Sequence, residues 1–168
     1  MLPDGSLGGL RPLIELGPEP DIQDASISPD GRLLAYVTND PGQAVDLFLT
    51  RFPEGVGQWQ VGAEGGRRPR WARDSGELFF IAGIGPSRRT MVSVRVDPAQ
   101  DLPLGEATRL FELGGGLELD MSDSSRFDVT ADGRRFLFVR PAGRTGAAPH
   151  RMVLVQNWRA EFVKDGAR

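Results

Sequence analysis

Asp24-Ala25-Ser26-Ile27-Ser28-Pro29-Asp30-Gly31-Arg32-Leu33-Leu34-Ala35-Tyr36-Val37-Thr38 is a β-hairpin with its turn spelled out. Pro29 fixes φ near −65°, as the second residue of a type I turn needs. Asp30 has a short side chain that bonds nearby amides, and Gly31 supplies the left-handed residue that forms the bulge. Leu34-Ala35-Tyr36-Val37 is apolar on both faces instead of alternating, which predicts a strand in a sheet covered on both sides.

The covering comes from repetition. Pro69-Arg70-Trp71-Ala72-Arg73-Asp74-Ser75-Gly76-Glu77-Leu78-Phe79-Phe80-Ile81-Ala82 repeats the hairpin, with Ser75 in the place of the turn glycine. Phe127-Asp128-Val129-Thr130-Ala131-Asp132-Gly133-Arg134-Arg135-Phe136-Leu137-Phe138-Val139 repeats it again. Asp30, Asp74 and Asp132 stand 44 and 58 residues apart, which fits one four-stranded blade per repeat with an insertion before the third. Residues 45–50 and 58–61 read as the third and fourth strands of the first unit, 91–96 and 108–113 as those of the second, and 152–155 as the third strand of the last. Ahead of them, Arg11-Pro12-Leu13-Ile14-Glu15-Leu16 reads as a lone strand, its proline favouring an edge. The fold class is therefore all-β, a β-propeller with three blades in the chain. One partial propeller domain spans 1–168: a closing strand at 10–16, blade 1 over 22–62, blade 2 over 68–113, blade 3 over 126–158 without its outer strand, and a tail at 159–168. Residues 157–164 read either as one or two helical turns capped by Asn157 or as a continuation of the last strand.

Composition agrees. The chain has 168 residues, 39% hydrophobic and 26% charged, enough for one sizeable core. Gly 22 and Pro 13 suit many turns and argue against long helices. The formal net charge of −3 gives no electrostatic case for nucleic acid. Arg67-Arg68-Pro69-Arg70 and Arg88-Arg89 are local clusters without the interleaved aromatics of a stacking platform. There is no cysteine, which excludes disulfides and thiolate metal sites and leaves the compartment open. The opening Met1-Leu2-Pro3-Asp4-Gly5 lacks the pattern of a secretory signal, and no apolar run approaches the roughly 20 residues of a membrane span. The chain thus reads as soluble, without membrane insertion.

The three hairpins resemble TolB-type β-propeller repeats. Arg51-Phe52-Pro53-Glu54-Gly55, Gly57-Gln58-Trp59-Gln60-Val61 and Val155-Gln156-Asn157-Trp158 are similar to segments in the C-terminal propeller tails of bacterial serine/threonine protein kinases. That resemblance implies a sensor-like propeller of about six blades, extracytoplasmic in those kinases. Nothing of the kinase domain is in this sequence, so kinase activity does not carry over. The repeats also resemble the propellers of prolyl-oligopeptidase-like peptidases, again without the hydrolase domain.

Catalytic constellations are thin. Ser6 is not in a nucleophile elbow, and His150 lies in a Gly/Ala/Pro-rich loop with no acidic neighbour. Asp120, Asp123 and Asp128, in an acidic and hydroxyl-rich stretch before the third hairpin, are the candidate metal ligands, and Ca²⁺ is the ion their oxygens suit. Asp30, Asp74 and Asp132 read as turn residues bonding their own backbones. Trp59, Trp71, Phe79, Phe80, Phe136 and Phe138 read as packing between blades. Loop residues at one mouth of the channel, Gln23, Asp24, Arg68, Arg70, Asp123 and Arg126, are the candidate ligand contacts.

The expected function is a non-catalytic propeller that binds a protein or small ligand. The alternatives are a metal-dependent, lactonase-like enzyme at the channel mouth and a purely structural half-propeller. Three blades are fewer than the four to eight of closed rings, so a homodimer forming one six-bladed ring is expected, each chain lending its N-terminal strand to its partner's last blade.

Overall fold

A computed structural model describes residues 12–15, 21–39, 45–83, 89–113, 127–140 and 151–156. Eleven strands lie among them, in three antiparallel sheets that follow chain order. Blade 1 comprises β1 (Asp21–Ile27), β2 (Leu33–Asn39), β3 (Asp46–Arg51) and β4 (Trp59–Gln60). Blade 2 comprises β5 (Arg67–Trp71), β6 (Glu77–Ala82), β7 (Thr90–Val96) and β8 (Leu104–Glu112). Blade 3 has β9 (Phe127–Val129), β10 (Arg135–Arg140) and β11 (Arg151–Gln156).

The hairpin turns form as their chemistry dictates. Gly31, Ser75 and Gly133 all have positive φ, at 69°, 62° and 66°. Each donates its amide three residues back, to the carbonyls of Ser28, Ala72 and Thr130. The aspartates cap the same turns. Asp30 Oδ1 accepts from the amide of Arg32, Asp74 Oδ1 from that of Gly76, and Asp132 Oδ1 from that of Arg134. These carboxylates serve their own loops and do not converge. Burial opposes ionisation of Asp30, but bonds from the Ser28 hydroxyl, the Arg32 amide and Ser75 prevail and hold its pKa below 3.8. The Thr130 hydroxyl and the Arg134 amide do the same for Asp132.

Successive side chains of a strand face opposite sides, and in β6 both sides are core. Leu78, Phe80 and Ala82 join Leu33, Ala35, Val37, Leu47, Leu49 and Val61 of blade 1. Phe79 and Ile81 join Met91, Leu110, Phe127, Phe136 and Phe138. The Phe79 and Phe136 rings meet edge to face at 5.2 Å, a favoured aromatic geometry. Gly66 is needed at the first interface, because a Cβ there would lie 2.8 Å from the Phe80 ring.

The other face of β2 is also buried. Tyr36 stacks on Phe48, with ring centroids 5.7 Å apart, and its hydroxyl accepts from Gln58 Nε2 at 2.8 Å. Burial raises the Tyr36 pKa, partly offset by that bond. Blade 3 differs, because Leu137 and Leu154 pair across β10 and β11 on its far face and are 38% and 53% exposed.

The N-terminal reading, a closing strand at 10–16 lent to a partner's last blade, concerns a pairing that a single chain does not contain. Residues 12–15 are irregular, not a strand. The Leu13 carbonyl approaches Gly55, where a Cβ would lie 2.3 Å from it, so this segment sits against the turn after β3. A closing strand has order only when a sheet edge pairs with it, and these residues have no such partner among the described ones. Residues 157–164, 10–11 and 16 lie outside the described residues.

Candidate functional site

The innermost strands β1 and β5 carry the candidate site. Both are bulged near the same repeat position. Pairing of β1 with β2 slips between Ile22 and Asp24, and that of β5 with β6 between Arg67 and Arg70. Bulges re-aim side chains and often flank functional sites. Arg68 sits inside the second at φ 57°, a conformation that ordinarily favours glycine.

Four links then tie blades 1 and 2 at positions one repeat apart to within a residue, Gln23 and Arg67 being equivalent and the other three pairs offset by one. Arg67 Nη1 donates to Gln23 Oε1 at 3.4 Å, and Trp71 Nε1 to the Ser26 carbonyl at 3.0 Å. The Asp30 amide donates to Ser75 Oγ at 3.0 Å, and Arg109 of the outer strand β8 pairs with Glu64 in the turn after β4. Each pair is separated by 44 or 45 residues, one repeat. Blade 2 thus docks on blade 1 through its periodicity.

Of the sequence candidates, the structure brings Gln23, Asp24, Arg68 and Arg70 onto these two strands. Arg70 spans all three blades. Its Nη1 lies 4.0 Å from Asp24 Oδ2 and donates to the Pro69 carbonyl at 2.7 Å, and its guanidinium lies 5.9 Å from the centre of the Phe127 ring. Asp24 Oδ2 is buried and has no hydrogen bond among the described residues, so its compensation is the Arg70 charge. Arg67 was not among the sequence candidates, although it stands one repeat after Gln23. Arg70 also lines a shallow cleft of about 280 Å³ with Phe127, Asp128, Leu137 and Val139, beside the open face of blade 3.

Asp120, Asp123 and Arg126 lie outside the described residues, as do Ser6 and His150. Asp128 is exposed, and its Oδ1 accepts from the Val129 amide at 2.8 Å. Among the described residues no three His, Cys, Asp or Glu side chains gather as a metal site would require. Nor does any helix there have the length and apolarity to cross a membrane.

No family model and no curated protein matches this chain. Solved structures do. An oligogalacturonate lyase in complex with manganese superposes with a TM-score of 0.55 at 14% identity, over 87% of this chain and 38% of that one. The β-propeller domain of the trilobed protease from Pyrococcus furiosus, described as having an open velcro topology, gives 0.51 at 13% identity, over 88% of this chain and 42% of that one. TolB from Acinetobacter baumannii gives 0.45 at 14% identity, over 81% of this chain and 41% of that one. Peptidases are also among the similar structures. The chain thus spans less than half the length of these solved chains. The lyase and the protease domain carry the architectural conclusion: this chain has a β-propeller fold.

Proposed function

We propose that this chain is a non-catalytic propeller module that binds a protein or small ligand at the mouth of its channel, in the sensor-like manner of the kinase propeller tails it resembles. One observation carries the reading. The bulged inner strands β1 and β5 gather Gln23, Asp24, Arg67, Arg68 and Arg70 where two blades meet. These are donors and acceptors on a rigid scaffold, the kind of convergent polar set that fixes a ligand's orientation. The reading includes a second copy of the chain as the structural partner. Leu137 and Leu154 form an apolar face on blade 3 that a further blade would cover, and residues 11–16 have the pattern of an edge strand.

The test is a thermal-shift screen of metabolites and short peptides, with products followed by mass spectrometry. A binder should stabilise the wild type by RT ln(1 + [L]/Kd). It should lose that effect in Gln23→Ala and Asp24→Asn and be recovered unchanged. Turnover of a bound compound, abolished by substituting a residue of this chain, would make the protein an enzyme. Binding indifferent to both variants would move the site elsewhere.

A further inference from the structure

Positive charge collects on the inner strand of blade 2, in a chain whose formal net charge is −3. Arg67, Arg68 and Arg70 all lie in β5. Arg89 is buried just before β7, at the same end of the blade as Arg67, since Arg67 pairs with Ile81 and Thr90 with Ala82. Arg70 has the Asp24 carboxylate and the Phe127 ring. Arg67 is half-buried and reaches a neutral amide oxygen at a long 3.4 Å. Burial, then Arg89, then Arg68 hold its pKa below the usual guanidinium value, as a cation crowded by cations requires. The strained backbone at Arg68 is a second, independent sign. A bulge residue at φ 57° is filled with less strain by glycine, yet this one carries a guanidinium.

We propose that Arg67 and Arg68 form an oxyanion site at the channel mouth, taking the carboxylate or phosphate group of a small ligand between the inner strands of blades 1 and 2. The inference rests on the binding-module reading above and names its ligand class. Guanidinium forks match the two oxygens of a carboxylate or phosphate, and the anion relieves the repulsion among the arginines. Arg67 exchanges its long bond to Gln23 for a charge-assisted one, and the freed Gln23 amide has N–H groups to donate to the same ligand.

The experiment titrates the full chain with inorganic phosphate and, separately, with succinate, by calorimetry and thermal shift, at constant ionic strength with chloride as control. At least one oxyanion is expected to bind one per chain and raise Tm beyond chloride. Phosphate alone or succinate alone then names the group. Arg67→Gln should weaken binding about 10- to 100-fold, the value of a lost charge-assisted bond. Arg68→Gly is the decisive variant. Glycine adopts the bulge without strain, so the unliganded variant should melt no lower than wild type and still lose oxyanion binding by a similar factor. Failure of both anions to exceed chloride, or wild-type affinity in Arg68→Gly, overturns the proposal. A neutral compound from the wider screen that binds in place of any anion, and is lost in Asp24→Asn, would also overturn it while leaving the binding module standing.

Discussion

Substitutions at the turn position shared by the three hairpins should give three different outcomes, because the same left-handed residue meets different surroundings in each blade. At Gly31 an added Cβ has nothing within 4 Å, so Gly31→Ala isolates the backbone cost. A left-handed L-residue costs about 1–2 kcal/mol, and losing glycine's freedom in the unfolded chain returns about 0.4–1 kcal/mol. The net is a loss of about 1 kcal/mol, or a fall in Tm of about 2–4 °C for a chain of this size. At Gly133 the added methyl would also lie 3.1 Å from the Phe79 ring, so Gly133→Ala should cost more than Gly31→Ala by the repacking of that ring. Ser75 inverts the usual order of glycine and alanine. Ser75→Ala keeps the strain at φ 62° and loses the bond from the Asp30 amide, costing about 1 kcal/mol. Ser75→Gly loses the same bond but relieves the strain, so it should be the more stable of the two by about 1 kcal/mol. Urea unfolding followed by tryptophan fluorescence, at one protein concentration and with a common m-value, measures all four. Alanine equal to or better than glycine at 75, or an unchanged midpoint in Gly31→Ala, would refute the turn geometry.

Gly66→Ala should overpack the interface of blades 1 and 2 against Phe80 and Leu47 and cost about 1–3 kcal/mol, read as a lower urea midpoint. Trp71→Phe should lose about 1 kcal/mol with the bond to the Ser26 carbonyl, and an unchanged midpoint would mean that this link does not hold the blades together. Acid should destabilise the fold through depressed carboxyls. Asp30 and Asp132 sit below 3.8 for the reasons above, and the Ala99 amide and Gln100 side chain hold Asp97 there too. A depressed pKa stabilises fully above the unfolded value and loses that contribution as pH falls through the folded one. Melting temperature should therefore be level from about pH 5 to 7 and drop below about pH 4, with a shallower drop in an Asp30→Asn, Asp132→Asn double variant.

The hairpins were legible in the sequence because their chemistry is local. Pro29, Asp30 and Gly31 specify a turn within four residues, and even the serine at 75 was placed correctly by its position in the repeat. The doubly covered sheet was legible from Leu34 to Val37 and from the unbroken apolar run of β6. Strand limits set by pairing were not. β8 begins at Leu104 instead of the expected 108, because β7 continues to Val96 and pairs with Leu104 past a bulge, overriding the weak strand signal of Gly105-Glu106-Ala107. The strand reading of 11–16 likewise required a partner edge that local sequence does not supply. At the site, the arginine cluster of 67–70 was visible as composition. Its meaning depended on contacts one repeat away, such as Gln23 with Arg67, which only a comparison of positions 44 residues apart would have shown.

A channel mouth exists only where blades close a ring around it, so the mass of the chain in solution tests the reading most directly. Light scattering on the eluted protein should give twice the mass of one chain. A Leu137→Glu, Leu154→Glu variant, charged on the open face of blade 3, should elute as a folded monomer with the wild-type far-ultraviolet spectrum. Deleting residues 1–17 should weaken the dimer if the N-terminal strand is exchanged. A monodisperse monomer of wild-type protein, or a dimer indifferent to both changes, would contradict the six-bladed ring.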